Sequence, residues 1–165
     1  VCTGIDHARA PVIATLDGDG QNDPADIPRL LETLAASPQA AHLIVCGYRR
    51  KRQDSWVKRW SSRIANRVRA AALGDGTPDT GCGLKVLHKT LFLALPRFNH
   101  MHRFLPALVR RAGGRSESVE VNHRPRLHGQ SKYGVGNRLW VGLVDLFGVM
   151  WLQRRAFRGG GAREH

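Results

Sequence analysis

Three features of the sequence predict an α/β fold: a short apolar run at residues 11–16, a helix signal directly after it, and a second apolar run at residues 42–47. Apolar runs of this length alternating with helical segments are the mark of strands buried between helices, as in a parallel α/β unit.

Pro11-Val12-Ile13-Ala14-Thr15-Leu16 is the first strand and ends in the turn cluster Asp17-Gly18-Asp19-Gly20. Asp26 stands at an N-cap position ahead of Ile27-Pro28-Arg29-Leu30-Leu31, which predicts a helix over residues 27–36. After Ser37-Pro38, His42-Leu43-Ile44-Val45-Cys46-Gly47 reads as the second strand. Across residues 54–73, Trp56, Trp60, Ile64 and Val68 recur at i, i+4 and define one face of an amphipathic helix. Arg59, Arg63 and Arg67 form the neighbouring row, where like charges repel unless an anion lies against them or the face is simply solvated.

Residues 74–83 form a Gly, Asp and Pro loop, and residues 84–95 a strand running into a short helix. A helix over 104–112 and an alternating edge strand over 116–121 follow. Residues 123–136 have no periodicity and are dense in Arg, His, Gly, Ser and Lys, the composition of a mobile functional loop. Residues 139–152 are apolar, carry Trp140, Phe147 and Trp151, and are followed by Arg154 and Arg155. That helix fits either the interfacial layer of an anionic membrane surface or an ordinary core. The organisation expected is one domain over 1–138, an amphipathic helix over 139–155 and a disordered tail over 156–165.

The 165 residues, 42% of them hydrophobic, suffice for one compact domain. A net charge of +13 points to phosphate-bearing partners: nucleotides, nucleic acid or an anionic lipid surface. Cys2, Cys46 and Cys82 are widely spaced and form no CxxC pair, which excludes a disulfide framework and a zinc site and implies a reducing, cytosolic setting. No apolar run reaches the roughly 18 residues of a membrane span. The chain opens on Val1 and enters a strand almost at once, so a start truncated relative to a complete fold is expected.

The sharpest chemical feature is Asp17-Gly18-Asp19-Gly20-Gln21-Asn22-Asp23-Pro24, placed at the carboxyl end of a buried strand, where open α/β sheets bind ligands. Two carboxylates two residues apart are hard oxygen donors suited to Mg²⁺ or Mn²⁺ bridging a diphosphate. The alternative is a plain acidic turn. An EF-hand is excluded, because its sixth position is Asn22 rather than Gly and its twelfth is Pro28 rather than Glu. In Arg124-Pro125-Arg126-Leu127-His128-Gly129-Gln130-Ser131-Lys132-Tyr133-Gly134, glycines admit an anion to backbone amides while Arg, Ser and Lys supply donors. It is not a Walker loop. His100-Met101-His102 has no partner cluster and is set aside as a metal pair.

Taken in order, the strand, DGDGQNDP, Gly47-Tyr48-Arg49, Ser62-Arg63-Ile64-Ala65-Asn66, Asp79-Thr80-Gly81-Cys82-Gly83 and R-x-x-G-x-S-K-Y-G resemble glycosyltransferase family 2 in its polyprenyl-phosphate branch, the dolichyl-phosphate mannosyltransferase-like enzymes. The resemblance runs from about Gly4 to Arg155. It implies a GT-A-type, Rossmann-like, mostly parallel sheet flanked by helices and lacking its first strands, with residues 1–138 as the catalytic domain. It also implies inverting transfer of a mannose- or glucose-type sugar from a GDP- or UDP-linked donor to a polyprenyl phosphate, peripherally on the cytoplasmic membrane face.

By the same resemblance Asp17, Asp19 and Gln21 form the metal and diphosphate motif, with Asp19 the principal ligand, and Arg49 lies near the donor phosphates. Arg63, Arg126, Ser131 and Lys132 hold the acceptor phosphate, and Asp79 faces the sugar as a positioning group. Two rivals stand beside this reading: a basic RNA-binding protein and an inactive, membrane-associated remnant of such an enzyme. The first leaves the acidic turn unexplained, so no nucleic acid is expected.

Overall fold

The computed structural model describes residues 1–49, 69–74, 76–122, 124 and 135–155. Helix α1 (Cys2–His7) leads into strand β1 (Val12–Thr15), a 3₁₀ turn at Pro24–Asp26 and helix α2 (Ile27–Ala36). Strand β2 (Leu43–Tyr48) follows. Residues 69–73 are helical, and strand β3 (Lys85–His88) passes directly into helix α3 (Lys89–Leu93). Helix α4 (Leu105–Arg111), strand β4 (Arg115–Glu120) and helix α5 (Val135–Arg154) complete the described chain.

These elements form an α/β fold around a four-stranded sheet of order β1-β3-β2-β4. β2 and β4 pair in parallel, whereas β3 is antiparallel to both β1 and β2. The sheet is therefore mixed: β1, β2 and β4 share one direction, as expected of a mostly parallel sheet, and β3 alone runs against them. β1 and β2 do run in the same direction, as the strand-helix-strand order predicts, but β3 is inserted between them. Its direction follows from residues 76–83, which deliver the chain to the carboxyl ends of β1 and β2, so that β3 runs back from there. β4 lies at an edge of the described sheet, as its alternation predicts.

Alternation along the strands divides the core into two layers. On one face Ile13, Leu87 and Ile44 stand in register and pack with Phe92, Phe104, Leu105, Leu108 and Val149 from the helices. On the other, Val86 and Val45 meet Leu30 and Leu34 of α2. Pro28 in the first turn of α2 suits a position whose N–H has no intrahelical acceptor.

Asp26 departs from its sequence-assigned role. It stands at the N-cap of α2 but makes no side-chain cap bond there. Its buried carboxylate instead accepts from the backbone N–H (2.7 Å) and the side-chain amide (3.1 Å) of Asn122, just past β4. Asp23 does the local capping, accepting from the Ala25 N–H at 3.0 Å.

Helix α5 begins earlier than its apolar run suggests and presents two apolar faces. Val149 is fully buried, and Leu146 and Met150 pack against the core, whereas Trp140, Val144, Phe147 and Trp151 are exposed along a stripe at i, i+4, i+7 and i+11. Among the described residues no helix is long and apolar enough to cross a membrane. The 54–68 part of the predicted amphipathic helix, the basic loop beyond Arg124 and the 156–165 tail lie outside the described residues.

Phe92 is fully buried whereas Leu31 is 38% exposed. Phe92→Ala is expected to lower stability by about 3–5 kcal/mol in urea unfolding. Leu31→Ala is expected to change it by only about 0.5 kcal/mol.

Candidate donor-binding site

The turn Asp17-Gly18-Asp19-Gly20 leaves β1 at the edge where β2 also ends and β3 begins. Asp19 closes it locally, its Oδ1 accepting the Gln21 N–H at 3.1 Å, and Gly20 takes φ 76°. The turn is then tied to two distant segments. Arg124 reaches it twice, its N–H donating to the Gln21 carbonyl (3.0 Å) and its Nη2 pairing with Asp23 at 2.6 Å. The Cys82 thiol meets Asn22 Oδ1 at 3.6 Å.

Opposite the turn lies Gly81-Cys82-Gly83. A Cβ on Gly83 would stand 2.6 Å from both carboxylate oxygens of Asp17, so only glycine leaves that carboxylate its place. Thr15 Oγ1 donates to the Gly83 carbonyl at 2.9 Å, and the Gly47 N–H donates to the Leu84 carbonyl at 2.8 Å. Gly47 sits in a tight spot as well, since a Cβ there would stand 3.0 Å from the Val121 side chain and 3.2 Å from the Cys82 sulfur, closer than ordinary packing.

Arg49, one residue past β2, forms a two-pronged pair with Asp79: Nε to Oδ2 at 2.7 Å and Nη2 to Oδ1 at 3.0 Å. The side chains are only 10% and 8% exposed. Burial works against the Arg49 charge, but the hydrogen-bonded carboxylate outweighs it and holds the guanidinium above its usual range, with Asp17 adding to the effect. Burial, with the Asp79 charge adding to it, pushes the Cys82 thiol up and keeps it protonated.

The structure thus places Asp17, Asp19 and Gln21 on one turn and the paired Arg49 and Asp79 at the same edge of the sheet. Arg63, Arg126, Ser131 and Lys132 lie outside the described residues. Two residues not assigned to the site by sequence border it. Lys85 is buried at the start of β3, with Nζ donating to the Cys82 carbonyl. A lone lysine in the apolar run Leu84-Lys85-Val86-Leu87 was the available signal. His102 is held below its usual range by partial desolvation and the charges of Arg103 and Lys85, with Asp17 opposing. The HMH pair is split, because His100 turns to Asp145 (Nδ1 to Oδ2, 3.3 Å).

Among the described residues no group of three or more His, Cys, Asp or Glu converges. Asp17 and Asp19 still fit a hard divalent cation of the Mg²⁺ type, which keeps several waters and takes one or two carboxylates with substrate phosphates completing its shell. The space that Gly83 leaves for the Asp17 carboxylate is consistent with that use.

This grouping of an acidic turn, a glycine turn and a buried arginine clamp coincides with a sequence match over residues 2–95 to the family described as Glycosyl transferase family 2. The chain belongs to glycosyl transferase family 2. Among its relatives, this family 2 chain is 38% identical over 162 residues to dodecaprenyl-phosphate galacturonate synthase of Rhizobium johnstonii, covering 95% of the chain and 46% of that protein. It is 34% identical over 150 residues to undecaprenyl-phosphate 4-deoxy-4-formamido-L-arabinose transferase of Pseudomonas fluorescens (91% and 42% covered). The transferase of that name from Edwardsiella ictaluri is 33% identical over 135 residues (82% and 40%). The chain spans less than half the length of each.

Arg49→Met strips Asp79 of its guanidinium partner and is expected to cost about 3–5 kcal/mol of stability in chemical denaturation. Adding Asp79→Asn to that variant should restore most of the loss, a non-additivity read from the double-mutant cycle.

Proposed function

We propose that this family 2 chain carries the donor-side machinery of an inverting transferase that moves a sugar from a nucleotide onto a polyprenyl phosphate. The observation that carries the reading is that the acidic turn, with Asp17 against Gly83, and the Arg49–Asp79 pair lie at the same carboxyl edge of β1 and β2, where open α/β sheets bind ligands. The acceptor class comes from the relatives, whose names specify dodecaprenyl or undecaprenyl phosphate. Those names also widen the sugar beyond the mannose or glucose type, to galacturonate and 4-deoxy-4-formamido-L-arabinose.

In this reading Asp17 and Asp19, with Gln21 beside them, would hold Mg²⁺ or Mn²⁺, and the donor would be GDP- or UDP-linked. A bound cation would neutralise charge growing on the leaving nucleotide. Arg49 commits Nε and Nη2 to Asp79, which leaves Nη1 for a donor phosphate. Asp79 acts through that clamp as a positioning group. Arg63, Arg126, Ser131 and Lys132 supply the acceptor's phosphate contacts. The acceptor phosphate is already anionic near neutral pH, so attack from the face opposite the leaving group needs alignment and charge stabilisation rather than a strong base. Inversion follows from a single displacement.

We also assign the exposed stripe of α5, with Arg154 and Arg155 beside it, to peripheral contact with the anionic inner face of the cytoplasmic membrane. A polyprenyl acceptor would reach the protein from that surface.

Calorimetric titration with GDP and UDP tests the donor site. Mn²⁺-dependent binding to one nucleotide is expected, weakened about tenfold or more by Asp19→Ala, which removes a charged ligand. Absence of metal-dependent binding by the wild-type chain would overturn the reading. For the membrane assignment, cosedimentation with phosphatidylglycerol vesicles should fall on replacing Trp140, Phe147 and Trp151 together by Ser. Equal sedimentation of both chains would refute it.

A further inference from the structure

Lys85 is the least expected side chain in the core: 3% exposed, in an apolar strand, and among the described residues making one hydrogen bond, from Nζ to the Cys82 carbonyl. Burying an amino group is costly unless its hydrogen bonding is used, so the single bond it makes marks what it is there to hold. Register places Lys85 beside Thr15 on one side and Cys46 on the other, at the carboxyl ends of β1 and β2. Thr15 and Lys85 therefore secure successive residues of one turn, Thr15 through the Gly83 carbonyl and Lys85 through that of Cys82. Against Gly83 of the same turn rests the Asp17 carboxylate.

We propose that Lys85 is a positioning residue of the donor site: by fixing the Cys82 carbonyl it sets the face of Gly83 against which Asp17 is held. The proposal deepens the donor-site reading and rests on it for its consequence in binding, though not for its consequence in structure. Lys85 does not touch the ligand in this account. Its effect passes through Cys82 and Gly83 to Asp17, so removing Nζ should loosen the acidic turn without dismantling the sheet.

The test uses the 165-residue chain, with Lys85→Met to delete the donor at similar bulk and Lys85→Arg to retain one. Hydrogen-exchange mass spectrometry should show faster exchange in Lys85→Met over residues 17–24 and 79–84, with β2 unchanged and with Lys85→Arg close to wild type. Mn²⁺-dependent affinity for the preferred nucleotide, GDP or UDP, should drop about tenfold, the scale of one buried hydrogen bond. In an Asp17→Asn background Lys85→Met should bring no further loss, because its effect is transmitted through that carboxylate. Unchanged exchange at 17–24, acceleration spread equally over β2, or an undiminished loss in the Asp17→Asn background would each overturn the proposal. If the wild-type chain binds neither nucleotide yet the local exchange pattern is found, the hold of Lys85 on the turn is supported and the donor-site reading alone is lost.

Discussion

The bidentate pair between Arg49 and Asp79 is the constraint on which the carboxyl edge of β1 and β2, with the candidate site, depends. It joins the end of β2 to the loop that precedes β3, and with both side chains about nine-tenths buried neither can drift without exposing the other. Desolvating two charges is expensive, and the attraction offsets that cost only when the geometry is good. Here two parallel N–H···O bonds supply it, which favours one arrangement of the loop over its neighbours more than it adds net stability. With Asp79 fixed, the chain must turn at Gly81-Cys82-Gly83 and enter the sheet between strands already running the other way.

That entry explains why the sheet is mixed and why the mixing is useful. A β3 parallel to its neighbours would begin at the opposite edge and carry the glycine turn away from Asp17. Run antiparallel, its first residue lies level with Thr15 and Cys46, and the preceding turn lies beside the acidic one. The close approach is possible because glycine stands at both crowded positions, Gly83 facing Asp17 and Gly47 facing Val121 and Cys82. Fold and site are in this sense one problem, since the hydrogen bonds that close the sheet also bring the two turns together.

How much of this was legible in the sequence follows from the range of each interaction. Apolar periodicity located β1, α2, β2, β3 and α4 because it records burial residue by residue. Strand direction leaves no such record, and β3 was read as a strand without the information that it runs backwards. Asp26 shows the same limit from another side. Its position ahead of a helix matches a cap, but its partner Asn122 is 96 residues away, and no local pattern announces it. The candidate site was legible as motifs, and the pairing of Arg49 with Asp79 was not, because two separately recognisable residues give no sign that they spend their charges on each other. Lys85 was visible only as an anomaly in an apolar strand, and an anomaly names no partner.

Helix α5 shows that two readings of an apolar segment need not compete. Its core face is fixed by Val149 and by two bonds to its backbone and side chain: Arg111 Nε donates to the Leu152 carbonyl and Gln153 Nε2 donates to the Leu73 carbonyl, each at 2.9 Å. These contacts set the rotation of the helix about its axis, and with it the direction in which Trp140, Phe147 and Trp151 point. An exposed apolar stripe on a loosely held helix would fold back onto the nearest core. Anchored as it is, the stripe stays outward, and burying it requires a second surface. Under the proposed function that surface is the membrane carrying the acceptor. The core packing of α5 then fixes the tilt at which the ligand-binding edge of the sheet faces the lipid, so that orientation for catalysis is settled by the interior of the protein rather than by the membrane contact itself.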